Sequence, residues 1–212
     1  APDVDRRGSI VFENAVYSAN LFLLDPGRAD AAPQAMWTST RYTNQAEFSP
    51  DGRHVVFASN RDGASGLFVA ALDGAPARVP LAESYLYMRP HWSQDGRFIY
   101  ATRVTRREDA SAVQQGIRIA WPAATVEVLT GLGDAVVDVR EADAGRALIV
   151  GEIAGNAVRV LRRVGNAVPE RLPLPLVSEY QVQGNRIAFT QPELDGLTLC
   201  DLATLHCGPL PL

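Results

Sequence analysis

The chain has 212 residues, 47% of them hydrophobic and 21% charged, with a formal net charge of −4. This length and apolar content exclude a disordered chain, and all-β folds of this size are often one domain. All 20 basic residues are arginine, with no block of like charge, which disfavours nucleic-acid contact; no run approaches the roughly 18 apolar residues of a membrane span, and no charged-then-apolar leader is present.

Taken in order, the first unit reads as a strand at residues 8–13, a return partner at 19–27 closed by Asp25-Pro26-Gly27, and an outer strand at 34–38, with its own first strand missing. The second unit is the clearest. Residues 45–48 are its inner strand, and Ser49-Pro50-Asp51-Gly52 is turn chemistry: Pro50 presets its dihedral, Asp51 bonds backbone two residues on, and Gly52 tolerates positive φ. Residues 54–59 are a β-branched and aromatic strand, Asn60-Arg61-Asp62-Gly63 turns it, and residues 66–72 return. The third unit repeats this over residues 89–101 with Gln94 in place of Pro50. It then crosses a polar connection at 105–110 to a return strand at 116–121 and an outer strand at 126–129. Fainter copies follow, one with strands at 136–139, 147–150 and 157–161 around Asp143-Ala144-Gly145, the other with strands at 180–182, 186–190 and 197–200 around Gly184-Asn185.

The glycine before each central strand falls at positions 8, 52, 96, 145 and 184, in steps of 44, 44, 49 and 39 residues. Repeats of about 40–50 residues built of four short strands predict propeller blades, whose sheets bury their faces only by stacking around an axis. The expected fold is therefore all-β, a β-propeller with five visible units of four short antiparallel strands over residues 1–43, 44–85, 86–132, 133–176 and 177–212. A β-sandwich accounts for short strands but not for a common period carrying the same turn residues. The chain reads either as the C-terminal part of a larger propeller or as a five-unit ring closed by its termini, and an open array exposes sheet edges for self-association.

Candidate chemistry is sparse. Gly63-Ala64-Ser65-Gly66-Leu67 lacks the last glycine of a nucleophile elbow and sits in a hairpin turn. His54, His91 and His206 have no paired metal spacing, and Asp51, Asp95 and Asp143 recur at turn positions, which points to backbone bonding. No catalytic residue, metal or cofactor is assigned. Cys200 and Cys207 flank six residues, a spacing that suits either a disulfide across a short hairpin in an oxidising compartment or two small apolar fillers. The segment 84–89 and the equivalent connection one unit earlier carry large side chains with polar handles. Arg41, Tyr42, Asn60, Arg61, Tyr85, Tyr87 and Arg89 are accordingly the candidate contacts for a partner at one end of the ring.

Phe48-Ser49-Pro50-Asp51-Gly52-Arg53 and Ser59-Asn60-Arg61-Asp62-Gly63 with Leu67-Phe68-Val69 resemble the TolB-type propeller repeat. The match is good again over residues 92–100 and faint in the last two units. The resemblance implies a non-enzymatic platform in the bacterial periplasm, or otherwise exported, that binds a protein or small-molecule ligand at one end of the ring. Similar repeats form the periplasmic sensing part of CadC-type membrane-anchored transcription regulators. The enzymatic alternative is the gating propeller of a prolyl oligopeptidase or dipeptidyl peptidase, with the hydrolase outside this chain.

Overall fold

A computed structural model describes residues 3–4, 10–11, 18–24, 32–109, 111–192 and 194–210. Four complete four-stranded antiparallel sheets follow one another along the chain. Blade I comprises β5 (Thr43–Phe48), β6 (His54–Ser59), β7 (Gly66–Ala71) and β8 (Ala77–Arg78); blade II comprises β9 (Leu86–Trp92), β10 (Phe98–Arg106), β11 (Ala112–Ala120) and β12 (Val126–Val128). Blade III contains β13 (Val136–Ala142), β14 (Ala147–Ala154), β15 (Ala157–Val164) and β16 (Glu170–Arg171), and blade IV contains β17 (Glu179–Gln183), β18 (Arg186–Gln191), β19 (Leu194–Asp201) and β20 (Cys207–Leu210). Each blade runs in chain order from its inner to its outer strand. Ahead of them lie two short pairs, β1 (Asp3–Val4) with β2 (Ile10–Val11), and β3 (Leu21–Leu23) with β4 (Gln34–Met36).

The repeated turn works through its side chains. Ser49 Oγ donates to Asp51 Oδ1 at 2.6 Å, the Arg53 amide donates to the same oxygen at 3.1 Å, and the His54 amide donates back to Ser49 Oγ at 3.0 Å. Ser93, Asp95, Arg97 and Phe98 repeat the set at 2.8, 3.0 and 2.9 Å, and Gly52 and Gly96 both adopt left-handed φ, at 68° and 70°. Gln94 can replace Pro50 because these bonds come from serine and aspartate. Blade III substitutes a 3-10 turn over Asp143–Gly145, and blade IV turns on Gly184 and Asn185 alone.

In blade I, which packs on blade II and on the β3–β4 pair, the central strands are apolar on both faces. Val55 to Ser59 are all buried, as are Gly66 to Ala70. Val56, Leu67, Tyr87, Trp92, Ile99 and Ile117 form the core between blades I and II; Tyr100, Val136, Val139 and Val150 pack blade II on III; Ile149, Val177, Tyr180, Ile187 and Phe189 pack III on IV.

Two strand expectations change. Segment 8–13 was expected to pair with 19–27, but β2 pairs with β1, and β3 pairs with β4. The β3–β4 hairpin is fixed on blade I instead: Leu21 and Trp37 pack on its Val55, Phe57, Phe68 and Ala70, and the Trp37 ring stacks on Phe57 at 5.5 Å. The segment 105–110 is not wholly a connection either. β10 and β11 continue through Thr105↔Val113 and Arg106↔Ala112. The extension is tied down by the Gln114 amide donating to the Asp134 carbonyl at 2.8 Å and by Arg103 donating to Gln115. Among the described residues no helix is long and apolar enough to cross a membrane.

Candidate functional site

The inner strands β5, β9, β13 and β17 meet at the axis, and strand registers align them residue by residue. Val55, Ile99, Leu148 and Ile187, each three positions after a repeat glycine, pair with Phe48, Trp92, Glu141 and Val182. The residues just before these four are Glu47, His91, Arg140 and Gln181, one from each blade, and they form a bonded layer. His91 Nδ1 lies 2.6 Å from Glu47 Oε2, Glu47 Oε1 accepts the Trp92 amide at 3.0 Å, and Arg140 donates through Nη1 to Gln181 Oε1. Arg140 Nη1 also stands 3.8 Å from Glu47 Oε2, spanning from blade III to blade I.

Two residues earlier on each strand is a second layer: Gln45, Arg89, Asp138 and Glu179. Asp138, fully buried, accepts Arg140 Nε at 2.8 Å and lies 2.7 Å from His91 Nε2, a close ion pair rather than an aligned hydrogen bond. The Arg89 amide donates to Gln45 Oε1 at 2.8 Å, and its guanidinium reaches Glu179 of blade IV at 3.5 Å. β5 and β9 both bulge between the two layers, and Gln45 and Arg89 take the same left-handed conformation, with φ of 55° and 49°. In each case the bulge re-aims the next part of the strand.

A carboxylate close to each ring nitrogen favours the imidazolium, the form with a proton on both. Burial opposes its charge, but the Asp138 carboxylate beside Nε2 and the Glu47 acceptor at Nδ1 outweigh burial and raise the His91 pKa above its ordinary value. For Asp138, burial is likewise the largest influence and acts to raise the pKa. His91 and Arg140 overcome it and hold the carboxyl well below the usual carboxylate range. Tyr180, whose ring lies 5.6 Å from the Arg140 guanidinium, is pushed well above its ordinary value by burial and then by Asp138. Beside Tyr180, blade III carries Gly151, where an added Cβ would come 2.9 Å from the tyrosine hydroxyl, so only glycine permits this approach.

Over the first layer, at the end of the blades where the Ser49–Asp51 and Ser93–Asp95 turns lie, is an open cleft of about 350 Å³. Glu47, His91 and Arg140 reach its floor, Val182 contributes from blade IV, and Phe48 and Pro50 stand at its rim. Phe48 is 50% exposed, although it lies on an inner strand. Among the described residues no cluster of three His, Cys, Asp or Glu side chains has an arrangement that could hold a metal.

The residues singled out for partner contact lie elsewhere. Tyr42, Asn60 and Tyr87 meet at a smaller cleft of about 220 Å³ between blades I and II, at the opposite end of β5 from Phe48, and Arg41 is exposed beside it. Tyr87 is only 3% exposed and donates its hydroxyl to the Ala82 carbonyl, while the Tyr85 ring carries the Arg103 guanidinium at 4.6 Å. Arg61 donates to the Trp37 carbonyl at 2.8 Å and covers the Phe57 and Phe68 rings, so it pins β4 to blade I. Arg89 faces the axis. Cys200 and Cys207, directly opposite on β19 and β20, form a disulfide, the first of the two readings of that spacing. Sequence reasoning missed the axial layer, although its mark is regular: Glu47, His91 and Arg140 each stand five positions before the repeat glycine.

Small antiparallel sheets arranged with their first strands at one axis define a β-propeller, and its likeness to solved structures is to propellers of the TolB type. TolB from Acinetobacter baumannii superposes with a TM-score of 0.74 at 16% identity, over 90% of this chain and 48% of that one. For a TolB from Agrobacterium tumefaciens the TM-score is 0.69, again at 16% identity, over 99% of this chain and 79% of that one. In sequence, the chain is 30% identical over 108 residues to the uncharacterized peptidase YuxL of Bacillus subtilis (strain 168), covering 48% of this chain and only 16% of that protein. No family model matches.

Proposed function

We propose that this chain is the non-catalytic binding propeller of an exported protein, and that its axial cleft is where a protein or small-molecule ligand is taken. The observation that carries this reading is the cleft floor: side chains from consecutive blades converge there and are held rigid by a buried ion-pair layer, with an exposed aromatic residue at the rim. Rigid polar groups beside exposed apolar surface are what recognition sites need. The Cys200–Cys207 disulfide supports an oxidising compartment such as the periplasm. In that setting the chain fits the sensing part of a membrane-anchored regulator of the CadC type, and the residues encoded upstream test this: a membrane span preceded by a winged-helix domain is expected. A second reading is supported by the likeness to a peptidase-named protein. It makes the chain a gating propeller, and it requires a hydrolase domain in the same gene product.

Site-specific photo-crosslinking in envelope fractions of the source cells tests the cleft itself. A crosslinker at Phe48 should capture a partner that one at Tyr42, at the opposite end of β5, does not, and Phe48→Glu should abolish capture from a neighbouring position such as Gln183. Crosslinks from Tyr42 alone, or capture indifferent to Phe48→Glu, would overturn the assignment to this cleft.

A further inference from the structure

The hydrogen-bond inventory of the cleft floor narrows what can enter it. Both carboxylates facing the cleft are engaged: Glu47 accepts the Trp92 amide and His91, and Glu141 accepts the Tyr100 hydroxyl at 2.9 Å and the Gln94 amide at 2.7 Å. His91 has a carboxylate at each ring nitrogen. Arg140 is different. Its Nε is held by Asp138 and its Nη1 by Gln181, and its side chain is 8% exposed. Its Nη2 makes no hydrogen bond among the described residues, and Arg140 lines the cleft. A guanidinium fixed at two corners, its third without a partner, on a residue that lines a cleft, offers preoriented donors to an acceptor. Beside it, Phe48, Pro50 and Val182 supply apolar surface.

We infer that the axial cleft binds a carboxylate carried next to an apolar or aromatic group, the carboxylate resting on Arg140 Nη2 and the apolar group against Phe48 and Pro50. A volume of about 350 Å³ lies at the small end of ligand sites, so the cleft admits a residue-sized group. The C-terminus of an extended peptide, an acidic side chain beside an aromatic one, and a small aromatic acid all present this chemistry. Asp138 and Gln181 act here as positioning residues, because they fix the guanidinium plane. The inference rests on the cleft being the binding site and names what it recognises.

Three probes separate the sources: N-acetyl-phenylalanine with its free carboxylate, its C-terminal amide, and N-acetyl-aspartyl-phenylalanine amide. Each is titrated into the uniformly ¹⁵N-labelled chain and followed by amide shifts at Trp92, Ser93 and Gln183. The free acid is expected to bind about tenfold or more tightly than its amide, the worth of one charge-assisted hydrogen bond. The aspartyl probe should match the free acid if an acidic side chain suffices, and the amide if a chain terminus is required. Arg140→Gln should erase the difference between acid and amide. Because that change also touches the ion-pair layer, Gln183→Glu on the exposed rim provides a second test: it should weaken the acid and leave the amide unchanged. Equal binding of acid and amide, or a Gln183→Glu variant that binds the acid as well as wild type, overturns the carboxylate assignment. If that happens while Phe48→Glu still abolishes partner capture, only the ligand class falls; if Phe48→Glu has no effect on capture, the cleft itself is the wrong site.

Discussion

Removing the His91 imidazole gives the sharpest stability test of the axial layer. His91 sits between Glu47 at 2.6 Å and Asp138 at 2.7 Å, with its side chain 10% exposed, and so joins blades I, II and III. His91→Ala leaves Asp138, fully buried, with Arg140 as its one remaining cation. Breaking a buried pair by deleting one partner costs about 3–5 kcal/mol, a large part of the roughly 5–15 kcal/mol that holds a domain together. For a chain of this length that corresponds to a fall in Tm of about 6–20 °C. Urea unfolding and calorimetry near pH 6 would measure it. The double variant His91→Leu with Asp138→Leu should be less damaging than His91→Ala, because the fully buried carboxylate goes with its imidazole and Arg140 keeps Gln181 and Glu47 as partners. The pH dependence is a second signature. A histidine whose folded pKa is raised contributes stability that is complete below its unfolded value near 6.5 and is lost as pH rises through the folded value. Asp138, held low, contributes stability present above about 3.9 and lost as pH falls through its folded value. Wild type should thus weaken above neutrality in a way that His91→Ala does not. If His91→Ala costs under about 1 kcal/mol, or if the alkaline limb survives the substitution, the layer is not the strut described here.

Three further outcomes follow from local geometry. Cys207→Ser, or reduction of the wild type, should lower stability by about 2–3 kcal/mol, the chain-entropy worth of so short a loop, read as a shift in urea midpoint between samples with and without reductant. Gly151→Ala should cost about 1–3 kcal/mol, since its Cβ would meet the Tyr180 hydroxyl and Val158, and should broaden the Tyr180 ring resonances. Arg61→Ala should cost about 1–3 kcal/mol through the lost Trp37 carbonyl bond and the stripped Phe57 and Phe68 rings, whereas exposed Arg41→Ala should leave the unfolding midpoint unchanged.

The repeat was legible because its determinants are local. Serine, aspartate and glycine of the Ser49–Gly52 turn satisfy one another within a few residues, so their spacing alone announces the blade. The same holds for Cys200 and Cys207, placed opposite each other by a hairpin. The axial layer was not legible as a layer. Glu47, His91 and Arg140 are each one polar residue in a strand, and their partners across the blades lie 41 to 93 positions away. Nothing local marks the bulges at Gln45 and Arg89 that turn these strands at the axis. The neighbours Tyr87 and Arg89 show the consequence: similar as interface anchors in sequence, one is packed between blades with its hydroxyl on Ala82 and the other points across the axis to Glu179.

The turn is shared between blades I and II, whereas the axial position distinguishes all four blades. Blades I and II carry interchangeable turns, and the buried parts of their central strands are mainly apolar, so neither feature distinguishes one blade from the other. The axial position differs from blade to blade, and the difference is complementary: an acid in I, an imidazolium in II, a guanidinium in III and an amide in IV, each bonded to another member of the layer. Misordered blades would set like charges together or leave one buried without a partner, and both are penalised far more heavily than a mismatched aliphatic contact. The same arrangement leaves Arg140 Nη2 without a partner among the described residues, on a side chain that lines the cleft. The axial layer and the proposed recognition therefore share one side chain, so substitutions of Arg140 must be read against the stability of His91→Ala before any loss of binding is assigned to ligand contact.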